Sequence, residues 1–246
     1  MPLLQFNGST DYLKWDTLDT ALRNLPTAAW TLLFGVRHAN MANWQGYGYL
    51  LSGTGAGASE VGLSKSTSGT ADLTCDRDST HGSAFSWASL DPAVNQDTLF
   101  VASKAAGSAT ANASKKVGSG GSWTHGAATS PGGNASAADQ LQLGIWQLST
   151  TDALNGYLAV AAMWDVELTQ AQRIACGANW KTSDIWKAHE KPPLLLMELN
   201  RAKTNLDNLG TAPISGLSSS GVTLATGQSF GNWNFDGYGS GFLPLL

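Results

Sequence analysis

The sequence predicts an all-β fold, a two-layered antiparallel sandwich, on three observations. Gly, Ala, Ser and Thr recur throughout, and turn signals punctuate short apolar stretches at intervals that suit many strands. Several of those stretches alternate with period two, as in Trp30, Leu32, Phe34 and Val36 against Thr31, Leu33, Gly35 and Arg37. The 246 residues are 42% hydrophobic, enough to bury one sizeable core, so residues 1–246 are read as a single domain.

Taken in order, the expected strands are LLQFN (3–7), DYLKW (11–15), AWTLLFGVR (29–37), GYGYLLSG (46–53), SEVGLSK (59–65), TADLTCD (70–76), FSWASL (85–90), DTLFVASKA (97–105), QLQLGIW (140–146) and GYLAVAAMW (156–164). Residues 105–138 are poor in large apolar side chains and read as long loops around one or two strands. The stretch 156–164 is apolar on both sides: Leu158, Val160, Ala162 and Trp164 alternate with Tyr157, Ala159, Ala161 and Met163. Such a strand is covered on both faces. One face then belongs to the core, and the other meets a loop, a groove or a partner. Thr169 and Gln172 form a capping box behind Leu168, which predicts one short helix running to about Gly177. After Pro192-Pro193, LLLMELNRAKTNLDNLG is compatible with a strand, a helix or one after the other. The chain closes on a Gly- and aromatic-rich segment and an apolar tail, in which Phe242, Leu243, Leu245 and Leu246 are candidate interface residues because termini are usually polar and frayed.

Composition removes several function classes. Charged residues are only 13%, against roughly 25% in soluble proteins, the net charge is −4, and the only adjacent basic pair is Lys115-Lys116, so nucleic acid is not an expected partner. No apolar run is long enough to span a bilayer, and MPLLQFNGST lacks the basic and apolar regions of a signal peptide, so a soluble chain without membrane insertion is expected. Cys75 and Cys176 read as two buried thiols, and the four His residues (38, 81, 125 and 189) have no zinc spacing.

The run GYLAVAAMWDVELTQAQRIA (156–175) resembles the C-terminal signature of concanavalin A-like, laminin-G-like jelly rolls, in which a central strand passes through Trp-Asn/Asp-x-x-Leu-Ser/Thr into a short helix. LQFNGSTDYLKW resembles that family's opening strand pair, AWTLLFGVR its next strand, and DQLQLGIW the strand before the last. These matches keep the family's order across residues 3–176. The resemblance implies a concanavalin A-like jelly roll in which 177–246 is an extension that returns to pack on the sandwich, beside the first strand, or on a partner. Low charge and Ala/Gly/Ser/Thr richness also resemble, in style, the virion proteins of tailed bacteriophages. On that resemblance the chain is a minor tail or capsid-decorating component, exported within a particle. Its partners are other virion proteins, further copies of itself and a cell-surface glycan.

Glycoside hydrolases share this fold and need two carboxylates. Laminarinase-type members carry Glu-x-Asp-x-x-Glu on one strand. Here only Asp165-Val166-Glu167 approaches it, with Met163 in the leading position, so no catalytic residue and no enzymatic activity are expected. No Gly-x-Ser-x-Gly elbow is present, and GTGAGASEVG (53–62) lacks the Lys-Ser/Thr ending of a phosphate loop, reading instead as a hairpin loop. No cofactor is expected, with Ca²⁺ the exception left open, since relatives bind it at a sandwich rim and CDRDSTHG (75–82) or NQD (95–97) could supply oxygen ligands. Of the ten Trp residues, Trp15, Trp30, Trp87 and Trp164 fall in strand patterns and read as core. Trp44, Tyr47, Trp123, Trp146 and Trp233 lie in polar, Gly-rich surroundings and are the candidates for stacking on a sugar. A purely architectural particle protein is the alternative reading, and a glycan hydrolase a third.

Overall fold

The computed structural model describes residues 3–41, 44–52, 60–66, 73–76, 85–129, 137–145, 152–200, 206 and 208–236. Its strands are β1 (Leu3–Asn7), β2 (Tyr12–Leu18), β3 (Trp30–His38), β4 (Gln45–Leu51), β5 (Glu60–Lys65), β6 (Leu73–Asp76), β7 (Phe85–Trp87), β8 (Thr98–Lys104), β9 (Thr110–Val117), β10 (Trp123–Thr129), β11 (Gln140–Leu143), β12 (Asn155–Trp164), β13 (Leu195–Glu198), β14 (Ile214–Ser220) and β15 (Thr223–Ala225). The helices are α1 (Thr20–Asn24), α2 (Gln170–Ala175) and α3 (Thr182–Lys187). Every strand expected up to Trp164 forms, with ends moved by a few residues, and residues 105–138 supply two more.

The strands make two antiparallel sheets. One is eight-stranded, ordered β10-β9-β8-β3-β12-β1-β15 with β13 also on β12, and the other is seven-stranded, ordered β14-β2-β11-β4-β5-β6-β7. One flank of β12 is shared end to end: Leu158 faces Leu4 of β1, and Val160 to Met163 face Glu198 to Leu195 of β13. After Gly177 the chain adds strands to both sheets, with Ala225 opposite Leu3 and β14 along β2.

Between the sheets lies the larger core, including Phe6, Leu13, Trp15, Trp30, Phe34, Tyr47, Leu63, Trp87 and Phe100. A second core covers the outer face of the eight-stranded sheet. There Leu33, Leu99, Val101, Val160 and Trp164 meet Leu168, Trp180 and Ile185 from the helical region and Phe230, Trp233 and Phe235 from the C-terminal segment. Cys75 belongs to the first core and Cys176 to the second, so the two thiols are buried apart.

Two details depart from the sequence reading. In β12 the register slips between Leu158 and Val160 opposite β3, so Ala159 is the extra residue of a bulge. Alternation therefore restarts: Leu158, Ala161 and Met163 enter the inter-sheet core, whereas Ala159, Val160, Ala162 and Trp164 face the outer one. The expected single helix, α2, has its capping box at Thr169 and Gln172, but α1 and α3 are also present. Each is only five or six residues long, too short to show a 3.6-residue period in sequence. α1 is held by the Asp19 carboxylate, which accepts from the Ala21 N–H at 2.8 Å. Among the described residues, no helix is long and apolar enough to cross a membrane.

Candidate functional site

The outer face of β8, β9 and β10 carries a layered arrangement of aromatic and cationic side chains. The pairing sets Trp123 opposite Lys116, His125 opposite Ser114, and Ala127 opposite Asn112. Because Trp123 and His125 are two residues apart on one strand, their rings rise from the same face. They lie parallel, 6.5 Å between centroids and 7° between planes, and both are half-buried. Ser114 Oγ, 2.9 Å from His125 Nδ1, also accepts from Arg173 Nε at 3.0 Å. A Ser114 hydroxyl that donates to Nδ1 leaves the ring proton of neutral His125 on Nε2. Burial, and next the Arg173 charge, hold His125 below the ordinary imidazole range.

Arg173 and Lys116 are cations buried beneath this surface. Arg173, on α2, donates through Nη1 to Ser103 Oγ at 2.8 Å and to the Leu168 carbonyl at 2.6 Å, which ties α2 to the sheet. Lys116 Nζ donates to the Gly177 carbonyl at 2.8 Å and lies 5.9 Å and 5.5 Å from the ring centres of Trp123 and Trp180. Burial pushes the Lys116 pKa down, opposed by the charge of Asp184. In the next row Asn112 Nδ2 donates to Glu167 Oε1 at 3.3 Å.

Trp180 links this surface to the C-terminal segment. It stacks on Phe230 at 5.6 Å and 3°, and meets Trp233 edge-on at 5.2 Å. Its φ of 56° is a left-handed conformation that a bulky residue rarely adopts, held by an Asn234 N–H donating to its carbonyl at 3.0 Å. The segment is fastened at both ends. Asp236 accepts from Ser183 N and Oγ at 2.9 and 2.6 Å, and Arg37 donates to Gln228 Oε1 at 3.1 Å and to the Ser229 carbonyl.

No protein-family model matches the chain, and no curated protein matches it in sequence. Solved structures match it in fold. A native heptameric SAP-like pentraxin from Limulus polyphemus superposes with a TM-score of 0.54 at 12% identity, over 91% of this chain and 94% of that one. The enzymatically active domain of tailspike protein 2 from bacteriophage CBA120 gives 0.49 at 10% identity, over 72% of this chain and 27% of that one. The Ruminococcus gnavus IT-sialidase CBM40 bound to α2,3-sialyllactose gives 0.48 at 10% identity, over 67% and 92%. The chain has the concanavalin A-like jelly-roll fold.

On this jelly roll the aromatic candidates scatter. Trp123 and Trp233 belong to one outer cluster, but Trp233 is buried, its Nε1 donating to Thr182 Oγ1 at 3.3 Å. Tyr47 is a correction: it lies fully buried between the sheets, stacked on Phe100 at 5.8 Å, with its hydroxyl 3.0 Å from His38 Nε2, and cannot present a face to a ligand. Trp44 is half-buried just before β4, apart from the Trp123 surface. Trp146 and the tail residues Phe242, Leu243, Leu245 and Leu246 lie outside the described residues. Trp15, Trp30, Trp87 and Trp164 are core, as expected.

Asp165 and Glu167 occupy the corner between β12 and α2, where Asp165 pairs with Lys191 Nζ at 2.6 Å and Glu167 accepts from Asn112. Of the Ca²⁺ candidates, Asp97 is taken by a two-pronged bond from Arg37, at 2.6 and 2.7 Å, and residues 77–82 lie outside the described residues. Among the described residues, no three His, Cys, Asp or Glu side chains gather as a metal site. His125, Lys116 and Arg173 were missed. The alternation in WTHGAAT, which puts His125 beside Trp123, was the signal available for the first.

Proposed function

We propose that the chain is a non-enzymatic binding domain of a tailed-phage virion, a minor tail or decoration component, and that it contacts a host-surface glycan through Trp123. The observation that carries this reading is the half-buried Trp123 ring, parallel to the imidazole of His125 on an edge strand. A sugar ring stacks its C–H face on such a surface, and Asn112, Glu167 and His125 Nε2 supply polar groups within the same rows. The low charge and the Ala/Gly/Ser/Thr-rich composition support the virion setting, in which the protein reaches the exterior within a particle. The engagement of Asp165 by Lys191 and of Glu167 by Asn112 supports a role without catalysis.

A glycan array with the wild type and Trp123→Ala tests the reading. Truncating an interface anchor costs about 2 kcal/mol or more, so the variant should lose roughly thirtyfold in affinity for whatever glycan the wild type retains. Absence of any glycan binding would leave the architectural reading in its place. Polysaccharide cleavage by the wild type that Asp165→Asn with Glu167→Gln abolishes would overturn the non-enzymatic one.

A further inference from the structure

Strands at sheet ends carry unpaired backbone groups that template pairing with another chain, and proteins blunt them by shortness, charge, proline, bulges or a covering segment. The four strands at the sheet ends here are β7, β14, β10 and β15. β7 and β15 have three residues each. β14 has seven, but Gly216 interrupts it at φ 74°. β13, which flanks β12, is covered by residues 208–212, whose Leu209 N–H and Asn208 side chain bond to its backbone. Among the described residues β10 has none of these devices; β7 and residues 88–90 pack against it on the face to which Gly126 would point a side chain. Its seven residues, WTHGAAT, hold unbroken register with β9 and contain no Lys, Arg, Asp, Glu or Pro. Among the described residues, its backbone bonds only to β9.

We propose that β10 pairs antiparallel with β10 of a second copy of this chain across a two-fold axis at Gly126, joining the two large sheets into one. The sequence of β10 is self-complementary about that point. Trp123 comes opposite the partner's Thr129, Thr124 opposite the partner's Ala128, and His125 opposite the partner's Ala127, so each bulkier side chain meets a smaller one and no charge meets its like. The pairing places both Trp123 surfaces on the same face of the joined sheet. A bivalent display of that kind raises avidity for a repetitive surface. The association does not depend on any glycan, and its test uses none.

Sedimentation and light scattering of the wild type should give twice the 25.7 kDa of one chain. Thr124→Lys with Ala127→Lys, both at exposed positions, should halve that mass while leaving the circular dichroism spectrum unchanged, and should remove the concentration dependence of the melting temperature. A matching pair on the other long edge strand, Ser215→Lys with Ser218→Lys, should leave the dimer intact and so controls for added charge. Hydrogen exchange should show alternate β10 amides protected in the dimer and exchanging in the β10 variant. A wild type that stays monomeric at its highest soluble concentration would overturn the proposal. So would a dimer that survives the β10 lysines, or one dissolved equally by the β14 pair.

Discussion

His38 is an imidazole strongly displaced from its ordinary titration range by burial in the jelly roll. It is buried, with Nδ1 2.8 Å from Gln45 Oε1 and Nε2 3.0 Å from the Tyr47 hydroxyl. Its pKa is lowered to about 4, chiefly by burial, with the Lys65 charge adding to the effect and the Gln45 bond opposing it. Since the folded value lies below the unfolded one, the unfolded chain binds the extra proton first. Stability is therefore full above the ordinary imidazole range and is lost as pH falls from about 6.5 to about 4. The loss should be on the order of 3 kcal/mol, read by urea unfolding across that window, and His38→Gln should flatten the difference; an equal slope in both proteins would contradict it. Tyr47, two residues into β4, shows where residue-level reading stopped. QGYGY reads as a strand whose Gly-rich surroundings suggest an accessible ring, yet Gly48 serves close packing: a Cβ there would stand 2.5 Å from the Phe34 ring. Sequence carries no mark that separates a glycine of that kind from one in a turn. The four core tryptophans were legible because each sits in an alternating stretch, and the partial exposure of Trp123 because its neighbours are small and polar.

At the scale of elements, the corner from β12 into α2 was fully legible, because a capping box is a local bonding pattern between residues three apart. Thr169 Oγ1 accepts from the Gln172 N–H at 3.3 Å, and Gln172 Oε1 accepts from the Thr169 N–H at 2.9 Å. A six-residue helix has little stability of its own, so its cap and its anchoring through Arg173 hold it. Thr169→Ala should cost about 1 kcal/mol, a fall in melting temperature of roughly 2–4 °C for a chain of this size. A calorimetric midpoint that does not move would show the cap to be redundant. What the sequence hid is non-local. The bulge at Ala159 follows from pairing with β3, and it reassigns every residue after it to the opposite face, so a strict period of two sorts Val160, Ala162 and Trp164 with Leu158 when they in fact turn away from it. α3 depends on Asp236, fifty-three residues from the Ser183 amide and hydroxyl it binds, a distance no window reading spans.

For the whole molecule, the apolarity of β12 on both faces announced that something covers the outer side of the large sheet, but not what. The cover comes from two remote stretches whose aromatic residues, Trp180 in one and Phe230, Trp233 and Phe235 in the other, are separated by polar residues without period. The molecule therefore has two cores with one sheet between them, and they should respond separately to damage. Trp233 meets Trp180 and Phe230 edge-on, at 5.2 and 6.1 Å, and is buried with them over Gly35, where an added Cβ would come 3.3 Å from the Phe230 ring. Trp233→Ala should cost about 3–5 kcal/mol, a large share of the roughly 5–15 kcal/mol that holds a domain folded. The inter-sheet core contains none of these aromatics, so strand content by circular dichroism should persist below the new midpoint while the C-terminal segment loosens. Indole fluorescence should shift to the red and a hydrophobic dye should bind as the outer face opens. Loss of the strand signal together with the fluorescence change, in one transition at unchanged cooperativity, would show that the two cores fold as a single unit.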